Sequence, residues 1–504
     1  MFTRAASSVL ALAVVFLSAT TVARPAAQQA AVQAIVGGTV IDGNGGPPIR
    51  DAIVVVTGQR ITGIGPRASV RVPGGTTVID AAGKYVVPGF IDTNVHLSLY
   101  GGVRERYETM VRYHSRQNDI VLEAAQIELK HGVTTVRDSY GMLVPLTRVR
   151  DVIARGDAVG SRILAAGNIV GWGGPYSITF SLIPERDLTL FQEQVNDDIT
   201  QGAGENLMDM TPDELRTAIR AYLDKGPDFI KYGGTSHFSE PTFIGFSAEA
   251  QKIIVDEAHK RGRSAETHAT TIEGLRIALQ AGIDNIQHPE LLTPREIPEE
   301  LVHVIAEKKA SCSMLVNTIT GDAWTKHLKT RGDAEKKFQE ADKKGSTHER
   351  TSAEERRRAT DLEAGLEMRR RNAQKLIQGG CRTTVGTDSY WAAAPELSRE
   401  PKPQNQDHGI GTLMAIEGLV ELGMTPSQAI VAGTKNGAVV SRLDKDLGTL
   451  EIGKLADLLL LDADPLADIH NIRKLKVVMK EGRVIDTSRL PQQRVLSWPP
   501  AAAR

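Results

Sequence analysis

The sequence predicts an α/β protein: a parallel (β/α)8 TIM barrel carrying a small composite β-sandwich formed by both ends of the chain. Three observations predict it. Along the middle of the chain, a unit recurs in which a helix halts at glycine and an apolar strand follows, and alternation at this spacing means a parallel sheet. The blocks on either side of that middle are both made of short, apolar, hairpin-like strands. The strands of the middle end in imidazole, amine and carboxylate side chains, the pattern expected where parallel strands converge on one mouth.

The elements follow in order. Arg4, the apolar run Ala5 to Ala19 and the small-residue site Thr21-Val22-Ala23 (with Ala27 as a second site) make residues 1–23 an expected signal peptide. The run is short for a membrane span, which needs about 20 apolar residues, so an uncleaved anchor is the less favoured reading. Residues 32–87 form the N-terminal part of the sandwich, with a hairpin of Ala52–Val56 and Ile61–Ile64 turning at Gly58-Gln59-Arg60. The barrel takes residues 88–435. Its units include a helix over 118–131 that stops at Gly132 before Val133–Val136, and a helix opened by the capping box Thr211-Pro212-Asp213-Glu214 that stops near Gly226. Ser247 caps a helix that ends at Gly262 before Ser264–His268. Thr271 to Ala281 ends at Gly282 before Ile283–His288, and a last helix ends at Gly379-Gly380 before Cys381–Val385. No Gly-rich phosphate loop follows the first strand, which argues against a doubly wound sheet. Residues 436–490 return to the sandwich through Leu458–Leu461 and a hairpin of Val477–Met479 with Val484-Ile485. The stretch from Gly321 to Arg371, dense in charge, is expected to be a solvated helical hairpin between the last two strands, with a lid over the mouth as the sharper alternative.

Composition excludes several classes of function. The 504 residues are 41% hydrophobic and 24% charged, enough for a large core, and the net charge of −1 offers no basic face for nucleic acid. After the leader no second membrane-length run appears, so the mature chain is expected to have no membrane partner. Two cysteines, Cys312 and Cys381, make no disulfide scaffold; buried free thiols are the default expectation, with a single bridge left open.

The chemistry gathers at strand ends. Asn94 and His96 close the first strand, Lys231 closes another, His268 and His288 close two successive ones, and Asp388 closes the last. Singly each is weak, since most histidines are surface or satisfied core residues. His114, His259, His303, His327, His348 and His470 are accordingly read as non-ligating. Position raises the odds for the others: imidazole and carboxylate are good zinc donors, and a lysine ending an apolar strand buries a costly ammonium. An ion pair of Lys231 with Asp228 or Asp388 is the structural alternative.

The motifs Pro88-Gly89-Phe90-Ile91-Asp92, Gly132 to Asp138, Glu266-Thr267-His268-Ala269, Asn285-Ile286-Gln287-His288-Pro289, Gly386-Thr387-Asp388, and Gly453-Lys454-Leu455-Ala456-Asp457-Leu458 resemble, in order and spacing, the amidohydrolase superfamily. The similarity is greatest to its imidazolonepropionase-like and prolidase-like group. The resemblance implies a metal-dependent hydrolase of a C–N bond (amide, dipeptide or cyclic amide) in a small molecule. It implies that His96 binds one metal, that Lys231, carboxylated, bridges two, that His268 and His288 hold the second, and that Asp388 touches metal and shuttles the proton. Zinc, as one or two ions, is the implied cofactor.

Two departures matter. Asn94 stands where the family's first strand has the first His of His-x-His, and an amide oxygen is a weaker zinc donor, so Asn94 is a doubtful fourth ligand. Prolidase-like relatives often carry Gly-Gly-His after the third strand and Tyr before the fifth-strand His; this chain has Gly173-Gly174-Pro175-Tyr176 and Thr267. Tyr176 and His237 are the substitute candidates for substrate contact. The rival readings are an exported prolidase-like dipeptidase and, because of Asn94, a catalytically impaired barrel that binds a small ligand. Lys231 argues against a deaminase. A periplasmic or secreted location follows from the leader, and homo-oligomerisation is left open.

Overall fold

The computed structural model describes residues 31–99, 110–181, 183–236, 243–291, 295–363, 365–391 and 404–491. The expected signal peptide and His237 lie outside them. Among the described residues no helix is long and apolar enough to cross a membrane.

Both chain ends join one eight-stranded sheet. Val32–Val40 pairs antiparallel with Ile49–Thr57, which pairs with Arg60–Pro66. On its other side Val32–Val40 runs parallel to Thr77–Asp80 and Tyr85–Pro88. Tyr85–Pro88 then pairs with Leu458–Leu461, which continues to Leu475–Lys480 and Arg483–Ile485. The Leu-Leu-Leu-Leu strand shows why this layer adheres to the rest. Successive side chains of a strand face opposite ways, so Leu458 and Leu460 enter the apolar core of the terminal sheet while Leu459 and Leu461 enter the central one.

The middle of the chain forms two parallel sheets. One has four strands in the order Ser389–Trp391, Phe90–Leu99, Val133–Asp138, Arg162–Ala165. The other has six, in the order Arg382–Val385, Ser311–Met314, Asn285–Gln287, Ala265–His268, Ile230–Tyr232, Ile169–Val170. The outer strands of one sheet run on into those of the other: Arg162–Ala165 into Ile169–Val170, and Arg382–Val385 into Ser389–Trp391. Side chains reach between the sheets. Thr93 Oγ1 lies 2.7 Å from Ser313 Oγ and donates to Val385 O at 2.7 Å, and Arg137 Nη2 donates to Glu266 Oε2 at 2.8 Å.

Helices start and stop where local chemistry dictates. The Thr211 capping box forms, with Thr211 N donating to Glu214 Oε2 at 2.9 Å and Pro212 opening the helix Pro212–Asp224. Ser247 and Thr271 cap Ala248–Lys260 and Ile272–Ala281. Gly282 ends the latter in the left-handed region at φ 88°, where its N–H satisfies Ala278 O and Leu279 O.

The charged stretch folds as expected into a helical hairpin between two strands, Gly321–Lys344 against Thr347–Glu363, followed by Gly365–Gln378. The cysteines need correction. Cys312 and Cys381 are bridged, not free thiols. Adjacent parallel strands bring their Cα atoms to 6.3 Å, within ordinary disulfide reach. Sequence alone left that register open.

Candidate metal centre

Asp388 is the hub. Its Oδ1 receives Asn94 Nδ2 at 3.2 Å and lies 2.8 Å from His96 Nε2, while its backbone N donates to Asn94 O at 2.8 Å. Two strands thereby bring Asn94, His96 and Asp388 into direct contact. Gly386 permits the approach, since a Cβ there would stand 2.1 Å from Ser313 Oγ and 3.1 Å from Asn94 Cβ. Burial would raise the Asp388 carboxyl, but the His96 hydrogen bond and the charges of His96, His288 and Lys231 hold it well below the usual carboxylate range. His288 and Lys231 are thus within electrostatic reach of Asp388. Both His288 and Asp388 adopt left-handed backbone, at φ 56° and 55°, a conformation few non-glycine residues take. Such strain concentrates at functional sites.

His96 fixes the chemistry of the pair. Its Nδ1 lies 3.0 Å from the Tyr140 carbonyl, which can only accept, so Nδ1 carries the proton. In the neutral ring Nε2 then presents a lone pair to Asp388 Oδ1, also a lone-pair atom. A contact of 2.8 Å between these two atoms is a hydrogen bond with one proton between them, and that proton is what a metal ion bound by both groups would displace. Donation of the far ring N–H to a backbone carbonyl is how metal-binding histidines are commonly held. His268 follows the same rule, with Nε2 2.7 Å from Thr235 O, leaving Nδ1 as its lone-pair nitrogen.

Lys231 lies in the middle of its three-residue strand rather than at its tip and is 1% exposed. Among the described residues, nothing hydrogen-bonds or ion-pairs with its amine. The expected alternative of an ion pair with Asp228 is not formed, because Asp228 is taken by Arg150 Nη1 at 2.9 Å. Burial pushes the Lys231 ammonium down, against the pull of Glu266, Asp388 and Asp138.

Not every candidate converges. No group of three or more His, Cys, Asp or Glu side chains is arranged to hold a metal ion among the described residues. His268 packs edge-on against Trp172, with ring centres 4.8 Å apart. Tyr176 is fully buried in the central core, with its backbone N on Asn196 Oδ1. The donor set nevertheless fits a divalent cation in kind. It offers imidazoles oriented by backbone carbonyls, an ionised carboxylate, a buried amine and the buried Asn94 Oδ1, which has no hydrogen-bond partner among the described residues.

Three residues here went unnamed in the sequence. Asp138 accepts Leu97 N at 2.6 Å, and burial pushes its carboxyl up to about 7 against the opposing influence of His96 and Lys231; its place at the end of a strand was the available signal. Arg369, on the charged insertion, donates through Nη2 to Thr318 Oγ1 at 2.7 Å and stands 3.4 Å from Glu290 Oε1, a carboxylate buried two residues after His288. Nothing in the local sequence marks this one arginine among its neighbours.

Comparison with known proteins gives a consistent picture. Residues 85–485 match the amidohydrolase family. A solved structure of molinate hydrolase is 31% identical, with a TM-score of 0.79, covering 94% of this chain and 99% of that one. Phenylurea hydrolase B is 29% identical at a TM-score of 0.79, covering 93% and 99%. Ochratoxinase of Aspergillus niger is 25% identical over 464 residues, 89% of this chain and 85% of its own.

Proposed function

The chain belongs to the amidohydrolase family and is a hydrolase of carbon–nitrogen bonds, and from that premise we propose that it hydrolyses the amide-type C–N bond of a small molecule with the aid of a divalent metal ion, zinc in the first instance. The observation that carries this reading is the convergence of His96, Asn94 and Asp388 on one another, with His288 and Lys231 in electrostatic reach of Asp388. We read the two parallel sheets as halves of one (β/α)8 barrel; the continuity of their outer strands and the Thr93 and Arg137 links support that reading. The terminal sheet is read as the composite sandwich.

His96, Lys231 carboxylated on its amine, His268, His288 and Asp388 would hold the metal, with Asn94 Oδ1 as a weak additional donor. A bound divalent ion supplies Lewis acidity, polarising a carbonyl and acidifying water. The chain's own residues do the rest. Asp388 takes a proton from the attacking water as the C–O bond forms and returns it to nitrogen as the C–N bond breaks. His96 and Asn94 hold Asp388 Oδ1 in place for that transfer. The inherited candidates Tyr176 and His237 remain proposals for substrate contact. The names of the relatives extend the substrate class to ureas, as in phenylurea hydrolase B; a prolidase-like dipeptidase is the second reading.

A periplasmic or secreted location is proposed with it. The Cys312–Cys381 bridge supports this, since structural disulfides persist in oxidising compartments. The test is a panel of anilides, ureas, dipeptides and cyclic amides assayed on zinc-reconstituted protein, with metal content measured in parallel. Zinc-dependent turnover of one class supports the reading. Protein that binds neither zinc nor any other divalent ion and turns over nothing would reduce it to a ligand-binding barrel.

A further inference from the structure

A half-open cavity lies beneath the charged insertion. The helices Gly321–Lys344 and Gly365–Gln378 of the charged insertion face the turns Val316–Thr318 and Gln404–Gln406 and the helix Ile410–Glu421 across a cavity of about 520 Å³. That volume lies in the range of small-molecule sites, about 300–1,000 Å³.

Among the described residues, two polar atoms on its walls are buried without a hydrogen-bond partner, His327 Nε2 and Asn405 Oδ1. The His327 side chain is 3% exposed, and the nearest acid, Glu367 Oε1, is 3.9 Å away and already engaged by Arg331. Asn405 gives its Nδ2 to Asn317 O at 2.8 Å, which leaves Oδ1 as its unmet side. An unmet buried polar group is costly, so an occupant that satisfies both is favoured.

The lining specifies that occupant. Asp322 and Lys326 bring one charge of each sign, which favours a neutral molecule, and Leu366 and Met414 supply an apolar wall. Asn405 Oδ1 can only accept, so it asks for an N–H; the His327 ring nitrogen can donate to a carbonyl. One functional group carries both, the carboxamide or urea.

We propose that this cavity binds the carboxamide or urea group of a small neutral organic molecule, with N–H on Asn405 and carbonyl on His327. The site is linked to the reaction centre, because Asn317 Nδ2 donates both to Asn405 O at 2.7 Å and to Thr387 O at 2.9 Å, the residue before Asp388. The occupant is either the non-reacting end of the substrate or a separate ligand of the same chemistry.

The experiment titrates acetanilide into full-length, metal-free protein, where turnover is silent, and follows heat and the His327 ring ¹⁵N resonance, assigned by its loss in His327→Phe. Saturable binding is expected, with a shift of that resonance, and Asn405→Ala and His327→Phe, shown folded by their melting curves, should each weaken binding about threefold to tenfold, the loss of one hydrogen bond. Asp388→Asn should bind as the wild type does. In the metal-loaded enzyme, a raised KM in Asn405→Ala identifies the occupant as substrate, and an unchanged KM identifies a separate ligand. No saturable binding, or affinity in both cavity variants equal to that of the wild type, would overturn the proposal and leave ordered water as the occupant. Because the titration needs neither metal nor turnover, its failure and that of the hydrolase reading are distinguishable.

Discussion

Two carboxylates in the central sheets, Glu266 and Asp388, stand in opposite circumstances. Glu266 is buried completely and fully engaged, receiving Arg137 Nη2 at 2.8 Å, Ser139 Oγ at 2.8 Å, Asn285 Nδ2 at 3.1 Å and Gln287 Nε2 at 2.9 Å. Asp388 is held on Oδ1 alone by Asn94 and His96, keeps 29% of its side chain exposed, and sits on strained backbone. A carboxylate whose lone pairs are all filled, by four donors from two strand segments, has no capacity left for chemistry; it locks the interior. One that is half-filled and partly exposed can still take a proton or a metal. The difference separates a structural acid from a reactive one, although both lie on or next to the parallel strands of the same fold.

Substitution tests this contrast from both sides. Asp388→Asn should cost turnover about 10²- to 10⁴-fold, the usual worth of a positioned acid–base group, with the melting temperature unchanged; an active variant would remove Asp388 from the mechanism. Glu266→Gln should do the reverse, lowering stability in urea unfolding by about 3–5 kcal/mol, because Arg137 would keep a buried charge without its partner. A normal unfolding curve would mean that the network is dispensable.

A third acid sharpens the comparison away from the candidate site. Glu257, on helix Ala248–Lys260, is opposed by its burial, yet hydrogen bonds from Arg220, Lys260 and Arg216 hold it down at about 2. Its folded pKa lies below its unfolded one. The stabilisation it brings is therefore present above about pH 4.5 and lost as pH falls toward 2, up to about 3 kcal/mol. The stability gap between wild type and Glu257→Gln should be full at pH 7 and close across that window; a pH-independent gap would contradict the assignment. The smallest effect expected is at Asn94. Asn94→His replaces a weak donor with imidazole and should raise metal stoichiometry in the reconstituted protein; unchanged metal content would mean that this position does not serve the ion.

Much of this was legible in the sequence, and the reasons are physical. Thr211, Ser247, Thr271 and Gly282 mark helix ends through local hydrogen bonds, so the repeated unit could be read without tertiary information. Asn94, His96 and Asp388 were legible as a set because parallel strands deliver their ends to one face. What escaped depended on distant partners. The Cys312–Cys381 bridge needed the strand register. Arg369 needed the path of the insertion back to Glu290 and Thr318. His327, read as non-ligating, is buried because helix Gly365–Gln378 brings Glu367 and Leu366 close to it.

The most direct measurement is metal content of the purified protein and of Lys231→Ala, with and without added short carboxylic acids. If a carboxylated Lys231 joins His96, His268, His288 and Asp388 around an ion, the variant loses metal and regains part of it when acetate or propionate supplies the missing carboxylate. Full metal content in Lys231→Ala without any addition would contradict that arrangement.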